Sequence, residues 1–414
     1  MAQKVLVIGG GGREHALAWR LQQEGESVSI IPGNGGLAEL QWENQQLNND
    51  NVCHFAKDYD FVIIGPDDAL AAGMVDALEK QGIAAFGPSQ AAAQVEASKS
   101  YAKNLMQRYG IPCARSETFD QVPAALRYAD TLGYPVAIKA DGLALGKGVF
   151  LCADRAEAEK SLEALLVEAR LGEAGKLVVV EEYLTGTECS VHALIDGHQA
   201  LLLESVRDHK QAYDGNQGPN TGGMGTISPS PLWTQQLADD VQTQVLNPFL
   251  RAMHAENLNF RGLLFPGLML TSKGLRVLEF NARFGDPETQ VLMRRWNSSL
   301  GEALRATREG RLSEVTLEWS PMHAACVVMA SKNYPESSPT GLTITGIQEA
   351  EHDPAIKVFH AGTQIQDAQL VTAGGRVLGV TALGQDTKAA RSHAYEAVEK
   401  IHFEGACWRT DIGS

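Results

Sequence analysis

The chain reads as a multidomain protein of mixed α/β and α+β class, and three observations predict it. Its 414 residues are 44% hydrophobic and 21% charged, an ordinary globular composition with length for roughly two to four domains of about 100–200 residues. The first hundred residues alternate short apolar runs with helix-period segments, the signature of a parallel sheet with crossover helices. From about Phe119 this gives way to a compact α+β unit around a glycine-rich loop. These shifts set expected boundaries: an N-terminal parallel-sheet domain over 1–118, a lid over 119–187, a central domain over 188–322 and a C-terminal domain over 323–414.

In chain order, Val5–Ile8 is an apolar run ending at four glycines and reads as a strand, followed by helix Glu14–Gln23 and strand Val28–Ile31. Phe61–Ile64 is a strand stopped by Gly65-Pro66, and Gly82–Phe86 closes the series before Gly87-Pro88. Gln90–Tyr109 is predicted as one helix, ended by Gly110-Ile111-Pro112, a glycine cap followed by a proline. The next unit offers helix Pro123–Leu132, strand Pro135–Ala140, a glycine loop, strand Gly148–Cys152, helix Arg155–Arg170 and strand Lys176–Glu181. Cys189–Ile195 and Ala200–Ser205 form a hairpin about Asp196-Gly197, a favoured turn pair. Strands Gly262–Leu270 and Leu275–Asn281 meet at Ser272-Lys273-Gly274. After the polar stretch Ser331–Gly341 come strands Lys357–His360 and Arg376–Ala382 and helix Thr387–Ile401.

Asp and Glu number 50 against 35 Lys and Arg, a formal charge of −15 with no basic run to offset it. Nucleic acid and acidic membrane surfaces are therefore not expected partners, since both need a positive face. The longest strongly apolar stretches, such as Gly262–Leu270, are far shorter than the roughly 20 residues of a membrane helix. Val5–Ile8 runs straight into glycines without the apolar core of a secretory signal. Six cysteines lie far apart with no C-x-x-C pair and read as reduced thiols, so a cytoplasmic location is expected.

Gly9-Gly10-Gly11-Gly12 follows a strand and opens a helix, where backbone N–H groups and the helix dipole favour a phosphate. A nicotinamide-dinucleotide fold fits poorly: Glu14 or His15 stands at the third glycine position, and the second strand ends at Ile31-Pro32 without an acid for a ribose. A mononucleotide or sugar phosphate fits better. A second loop, Lys139 to Gly148, is not a Walker A loop, because its glycines are misplaced and no Ser or Thr follows Lys147. It joins two strands and can close over phosphates, with Lys139 reaching them as a point charge. Glu279 and Asn281 end a strand on one face, a carboxylate and an amide oxygen suited to Mg²⁺. Arg283, Asp286 and Glu288 follow in the same loop, and Asp208-His209-Lys210 with Pro219–Gly225 adds a cation and a backbone-rich turn. Together these features point to an enzyme of phosphorylated substrates. The histidines show no zinc spacing, and no G-x-S-x-G elbow is present.

Several runs carry a resemblance: Gly10-Gly11-Gly12-Arg13-Glu14-His15-Ala16, Pro32-Gly33-Asn34, Lys139-Ala140-Asp141-Gly142, Gly146-Lys147-Gly148, Asp208-His209-Lys210, Gly218 to Gly225, Glu279 to Gln290 and Asp411-Ile412-Gly413. In order from residue 5 to residue 413, they resemble the phosphoribosylamine–glycine ligase (glycinamide ribonucleotide synthetase) family of purine biosynthesis. The resemblance implies an ATP-grasp fold with an N-terminal sheet domain, a mobile lid, a central domain and a C-terminal domain. It implies ATP and Mg²⁺ or Mn²⁺, glycine and phosphoribosylamine as small-molecule substrates, and a monomer. Carried over by motif, Lys103, Lys139, Gly146 and Lys147 would hold ATP phosphates, Glu181, Glu182, Tyr183 and Leu184 the adenine edge, and Glu188 the ribose. Glu279 and Asn281 would bind the metal, and Arg283 would steady the transferring phosphoryl group. Asp286 would meet the glycine ammonium, with Lys210 as a further catalytic cation. Gly11, Gly12, Arg13, Asn34, Asp67, Thr221 and Gly222 would contact phosphoribosylamine.

The chain departs from the family pattern at Asp67-Asp68, where Glu is usual, at Leu145 in place of Ala and at Phe265-Pro266 in place of Tyr-Ala. No acid lies on the strand before Glu279, where many ATP-grasp enzymes keep a third metal ligand. Another ATP-grasp carboxylate–amine ligase, a dinucleotide-dependent oxidoreductase and a nucleotide sensor are the alternatives.

Overall fold

A computed structural model of the chain describes residues 2–40, 48–144 and 148–414. The N-terminal sheet contains β1 (Lys4–Gly9), β2 (Ser27–Pro32), β3 (Phe61–Ile64) and β4 (Ala85–Phe86), parallel throughout and ordered β2-β1-β3-β4. All four residues of β3 are buried, as expected of a parallel strand covered on both faces. Helix α1 (Gly12–Gln23) leaves β1 through the glycine turn. Its Leu17 and Leu21 pack in a core shared with Leu263, Phe284, Trp296 and Phe359, which come from later parts of the chain. That shared core fixes the first glycine loop against the rest of the molecule.

The second sheet is antiparallel: β5 (Ser116–Phe119), β6 (Val136–Ala140), β7 (Val149–Cys152) and β8 (Val178–Glu182), ordered β5-β8-β6-β7. Helices Val122–Leu132 and Arg155–Leu162 cover it, with a core of its own around Leu126, Ile138, Leu162 and Val180. The single helix expected over Gln90–Tyr109 is two. Ser98 is extended (φ −133°, ψ 114°), ending Gln90–Ala97 and capping Lys99–Tyr109 by accepting from the Tyr101 N–H. Its hydroxyl also meets the Asp141 carboxylate, so the break ties the helix to the end of β6. Arg155–Arg170 keeps α-helical pitch only to Leu162, then widens through Glu163–Val167.

Next come β9 (Thr187–Ser190), β10 (Ala193–Asp196), β11 (Ala200–Leu202), β12 (Arg207–Asp208), β13 (Gln211–Tyr213), β14 (Gln217–Asn220) and β15 (Gly225–Ser228), then β16 (Arg261–Thr271) and β17 (Gly274–Asn281). The central sheet is ordered β11-β10-β16-β17, with β9 also on β16. The hairpins expected about Asp196-Gly197 and Lys273-Gly274 are present. The last section holds β18 (His323–Ala330), β19 (Ile356–His360), β20 (Thr363–Gln366), β21 (Gln369–Thr372) and β22 (Arg376–Gly384). Its main sheet, β12-β15-β18-β22-β19, draws two strands from residues 207–228. Sequence pattern does not single out β18, because burial along almost its whole length removes any alternation. Among the described residues no helix is long and apolar enough to cross a membrane.

Candidate functional site

One cavity of about 450 Å³ lies where these units meet. Lys103, Lys139, Leu143, Ala144 and Glu181 line one side, and Leu278–Asn281 at the end of β17 form the floor. Asp208, Lys210, Asn220–Gly222, Arg283, Asp286, Glu288, Tyr334 and Arg376 line the far wall, with Arg13 and Asp67 from the N-terminal unit. Residues spread from 13 to 376 thus converge on one space.

On the near side, Glu181 joins two ammonium groups: its Oε2 lies 3.1 Å from Lys103 Nζ and 3.1 Å from Lys139 Nζ. Lys139 also donates to the Leu278 carbonyl at 3.3 Å. Burial pulls Lys103 below the usual lysine range, with Glu181 pulling it back. Two cations facing one carboxylate leave net positive charge for an anion. Glu182, next along β8, alternates to the other face and pairs with Arg115 at 2.8 Å, outside the cavity. Tyr183 is exposed and Leu184 half-buried, and neither lines the cavity. Glu188 is exposed with its carboxylate 3.4 Å from Lys210 Nζ. Gly146 and Lys147 lie outside the described residues.

On the floor, Glu279 and Asn281 fall two residues apart on β17, as period-two alternation requires. Burial favours a protonated Glu279, but Lys210, Lys139, Lys99 and Arg283 outweigh it and hold the carboxyl below its ordinary range. Asn281 donates to the Phe265 carbonyl at 3.3 Å, and its Oδ1 accepts from Arg283 Nη2 at 3.3 Å. One ionised carboxylate beside one amide oxygen fits a hard divalent cation that completes its shell with water and phosphate oxygens. Among the described residues no group of three His, Cys, Asp or Glu is placed to hold a metal by itself. Arg283 is fixed by Glu96, 3.1 Å from its Nε, and Glu96 also accepts from the Ala282 N–H at 2.7 Å.

The first glycine loop is filled by its own chain. Glu14, 1% exposed, accepts from the Gly11 N–H at 2.8 Å and pairs with Arg13 Nε at 2.6 Å. A Cβ at Gly9, Gly11 or Gly65 would strike this carboxylate, which explains the glycines. The position that argues against a dinucleotide motif therefore supplies an internal anion at the helix N-terminus. Gly11, expected beside the sugar phosphate, donates its N–H within the chain, to Glu14. A Cβ at Gly12 would meet the Gln290 amide, so Gly12 is a close approach to helix Glu288–Arg295. Arg13 carries this segment into the cavity, its Nη1 donating to the Phe284 carbonyl at 3.1 Å. Asn34 is buried and donates to the carbonyls of Gly10 (3.1 Å) and His360 (2.8 Å), holding the loop to β19 instead of lining the cavity.

On the far wall, Arg376 Nη1 donates to the carbonyls of Asp286 (2.6 Å), Gly222 (2.7 Å) and Gly223 (3.5 Å), with Nη2 3.6 Å from Asp286 Oδ2. Burial works against ionisation of Asp286, yet Arg376 and Arg13 hold its carboxyl below the usual range. Thr221 donates its hydroxyl to the Lys210 carbonyl at 2.7 Å. Sequence reasoning misses Glu96, Tyr334 and Arg376. Each stands in an unremarkable local pattern, and only the tertiary fold brings it to the cavity.

Family models of phosphoribosylglycinamide synthetase match the chain in three parts: the N domain over residues 3–96, the ATP-grasp (A) domain over 97–289 and the C domain over 324–414. A phosphoribosylamine–glycine ligase of Caldanaerobacter subterraneus subsp. tengcongensis is 42% identical, with 99% of each chain covered. The crystal structure of a phosphoribosylamine–glycine ligase from Thermotoga maritima superposes with a TM-score of 0.86 at 33% identity, covering 99% of this chain and 100% of that one. The biotin carboxylase domain of the Hydrogenobacter thermophilus 2-oxoglutarate carboxylase, solved with MgADP and bicarbonate, shares the fold at 18% identity and a TM-score of 0.74, over 98% of this chain and 92% of that one. The expected ATP-grasp architecture therefore stands, and the chain belongs to the phosphoribosylglycinamide synthetase family.

Proposed function

We propose that the protein ligates glycine to 5-phosphoribosylamine with ATP, through glycyl phosphate, giving glycinamide ribonucleotide, ADP and phosphate in de novo purine synthesis. The observation that carries this reading is the convergence, in one cavity, of the Glu181-bridged lysines, the Glu279–Asn281 pair and the Asp286–Arg376 wall.

A carboxylate and an amine do not condense in water, so the carboxylate must first gain a leaving group. Lys103 and Lys139 hold the ATP phosphates and Arg283 offsets charge on the γ-phosphoryl group as it moves to the glycine carboxylate. Lys210 stands beside it as a second cation. Asp286, ionised by its arginine neighbours, takes the glycine ammonium. Glu279 and Asn281 would hold Mg²⁺ or Mn²⁺, which supplies charge neutralisation between phosphates when bound. Arg13 and Asp67 face the ribose phosphate and its hydroxyls, with Thr221 and Gly222 beside them, while Gly11, Gly12 and Asn34 keep that wall in place. The backbone of Glu181 to Leu184 gives the adenine edge, Gly146 and Lys147 are assigned to the ATP phosphates by motif, and Glu188 takes the ATP ribose. The sheet of residues 119–187 acts as the lid that excludes water from glycyl phosphate. The working form is a cytoplasmic monomer with small-molecule substrates.

The test supplies Mg-ATP, glycine and phosphoribosylamine made from ribose 5-phosphate and ammonia, and follows ADP. Release that needs all three supports the reading. Release independent of glycine, or NADH binding tighter than ATP binding, would overturn it.

A further inference from the structure

The closing run Asp411-Ile412-Gly413 has no part in the steps above and does not line the cavity. It lies against the hairpin β13–β14, which joins Lys210 to Thr221 and Gly222 of the far wall. That hairpin has little apolar anchorage: in its strands only Ala212 is buried, and the whole of β14 is exposed. A two-stranded ribbon of this kind does not hold its place alone. Polar groups of the chain end hold it instead. Arg409, 1% exposed, forks onto Asp411, Nε to Oδ1 and Nη2 to Oδ2, both at 2.7 Å. Its Nη1 donates to the Gln211 carbonyl at 3.1 Å and its Nη2 to Asn216 Oδ1 at 3.0 Å, one at the start of β13 and one in the turn. Asp411 Oδ2 accepts from the Gly215 N–H at 2.8 Å, and Asp214 accepts from the Thr410 N–H at 2.8 Å and from its hydroxyl. Gly413 donates its N–H to His209 Nε2 at 3.1 Å, while Nδ1 of the same ring faces the Gly225 carbonyl at 3.1 Å. A carbonyl only accepts and an amide N–H only donates, so these two bonds require a neutral ring with its proton on Nδ1.

We propose that Arg409 and Asp411 are positioning residues for phosphoribosylamine: the chain end braces the hairpin over 211–220 and so sets Thr221 and Gly222 against that substrate. The root of the hairpin has ties of its own. Thr221 bonds the Lys210 carbonyl through its N–H at 2.8 Å and its hydroxyl at 2.7 Å, and Gly222 is held by Arg376 and by the Tyr334 hydroxyl. The brace therefore governs where the ribbon lies rather than whether it forms. A small misplacement of a binding group by a change outside the cavity is enough to cost a large factor in rate. Lys103 and Lys139 stand on other elements, α-helix Lys99–Tyr109 and β6, so ATP binding is separate from the brace. The inference rests on the proposed ligase reading.

The experiment uses the full chain with Arg409→Met, which removes the fork and both hairpin bonds, and Asp411→Asn, which keeps an acceptor at a half-buried position and carries the test by itself if Arg409→Met does not fold. Three measurements are made on each variant: kcat/KM for phosphoribosylamine at saturating ATP and glycine, calorimetric ATP titration, and hydrogen–deuterium exchange of peptides spanning 211–220. Support is faster exchange in those peptides, an ATP Kd within about twofold of the unaltered protein, and kcat/KM for phosphoribosylamine lowered about tenfold or more in Arg409→Met and about threefold or more in Asp411→Asn. Three results overturn the proposal. Unchanged exchange would show that the hairpin is held without the chain end. Faster exchange with unchanged kcat/KM would show that its placement does not matter to the substrate. An ATP Kd weakened as much as kcat/KM would show a general loosening of the fold. If the unaltered protein releases no ADP with the three substrates, the ligase reading falls, a result distinct from all three because the exchange measurement still reports whether the chain end holds the hairpin.

Discussion

Replacing Lys139 by methionine tests the near side of the cavity. Lys139 is 7% exposed, with its ammonium 3.1 Å from Glu181 and 3.3 Å from the Leu278 carbonyl. Methionine keeps most of the apolar stem, and Glu181 keeps Lys103 as a partner. The fold should therefore lose less than the about 3–5 kcal/mol that follows when a buried charge is left wholly unpaired. Nucleotide binding should suffer more sharply, since a charge-assisted hydrogen bond contributes about 1.5–3 kcal/mol, or roughly tenfold to over a hundredfold in Kd. Calorimetric titration of ATP into the folded variant measures this directly, with thermal unfolding run beside it. An ATP Kd within about twofold of the unaltered protein would show that Lys139 serves Glu181 alone, and the phosphate assignment would be refuted.

Glu279→Gln should leave the unfolding midpoint nearly intact and abolish ADP production, because an amide cannot supply the charge held among four cations; turnover restored by excess magnesium would refute the metal role. Arg376→Met frees three carbonyls and the Asp286 carboxylate, so steady-state kinetics should show glycine KM raised about tenfold or more with ATP KM unchanged; equal rises in both would point to general collapse of the wall. Gly10→Ala would drive a Cβ into the Gly33 carbonyl, and denaturant unfolding should register a loss of about 1–3 kcal/mol; no loss would mean the turn is not closely packed. Burial holds His360 down to about 4 and His15 well below its usual value, so both stay neutral in the fold while the unfolded chain takes up protons near about pH 6.5. Stability from these two groups is complete above that pH and is lost as pH falls toward about 4; a His360→Gln variant whose unfolding midpoint drops as steeply on acidification would refute it.

What the sequence makes legible follows from how local each signal is. The β1–glycine–α1 turn, the Glu279–Asn281 pair and the run through Arg283 and Asp286 are contiguous, and each set of neighbours is visible in a short window. Glu96 is not legible, because it meets Ala282 across 186 residues. Arg376 likewise reaches Gly222 from 154 residues away. Glu14 shows a different limit: its place in the motif is evident, but only side-chain packing reveals that its carboxylate fills the loop. Ser98 is similar, since the serine that caps Lys99–Tyr109 within a helical pattern is also held by Asp141, 43 residues on, just past β6.

The sheet β12-β15-β18-β22-β19 bears on how the chain divides. The C domain recognised by similarity begins at residue 324, yet β18 pairs along Ala324–Val327 with β15, which lies about a hundred residues earlier. A fragment cut at that boundary keeps β18 and sheds its partner, opening a row of unpaired backbone groups flanked by side chains that are buried in the whole protein. Such a fragment should self-associate through that edge, and a peptide spanning residues 225–228 should compete for it. The segment that similarity recognises as a unit is therefore not a closed sheet by itself: the last quarter of the chain is completed by β12 and β15, which reach it from residues 207–228.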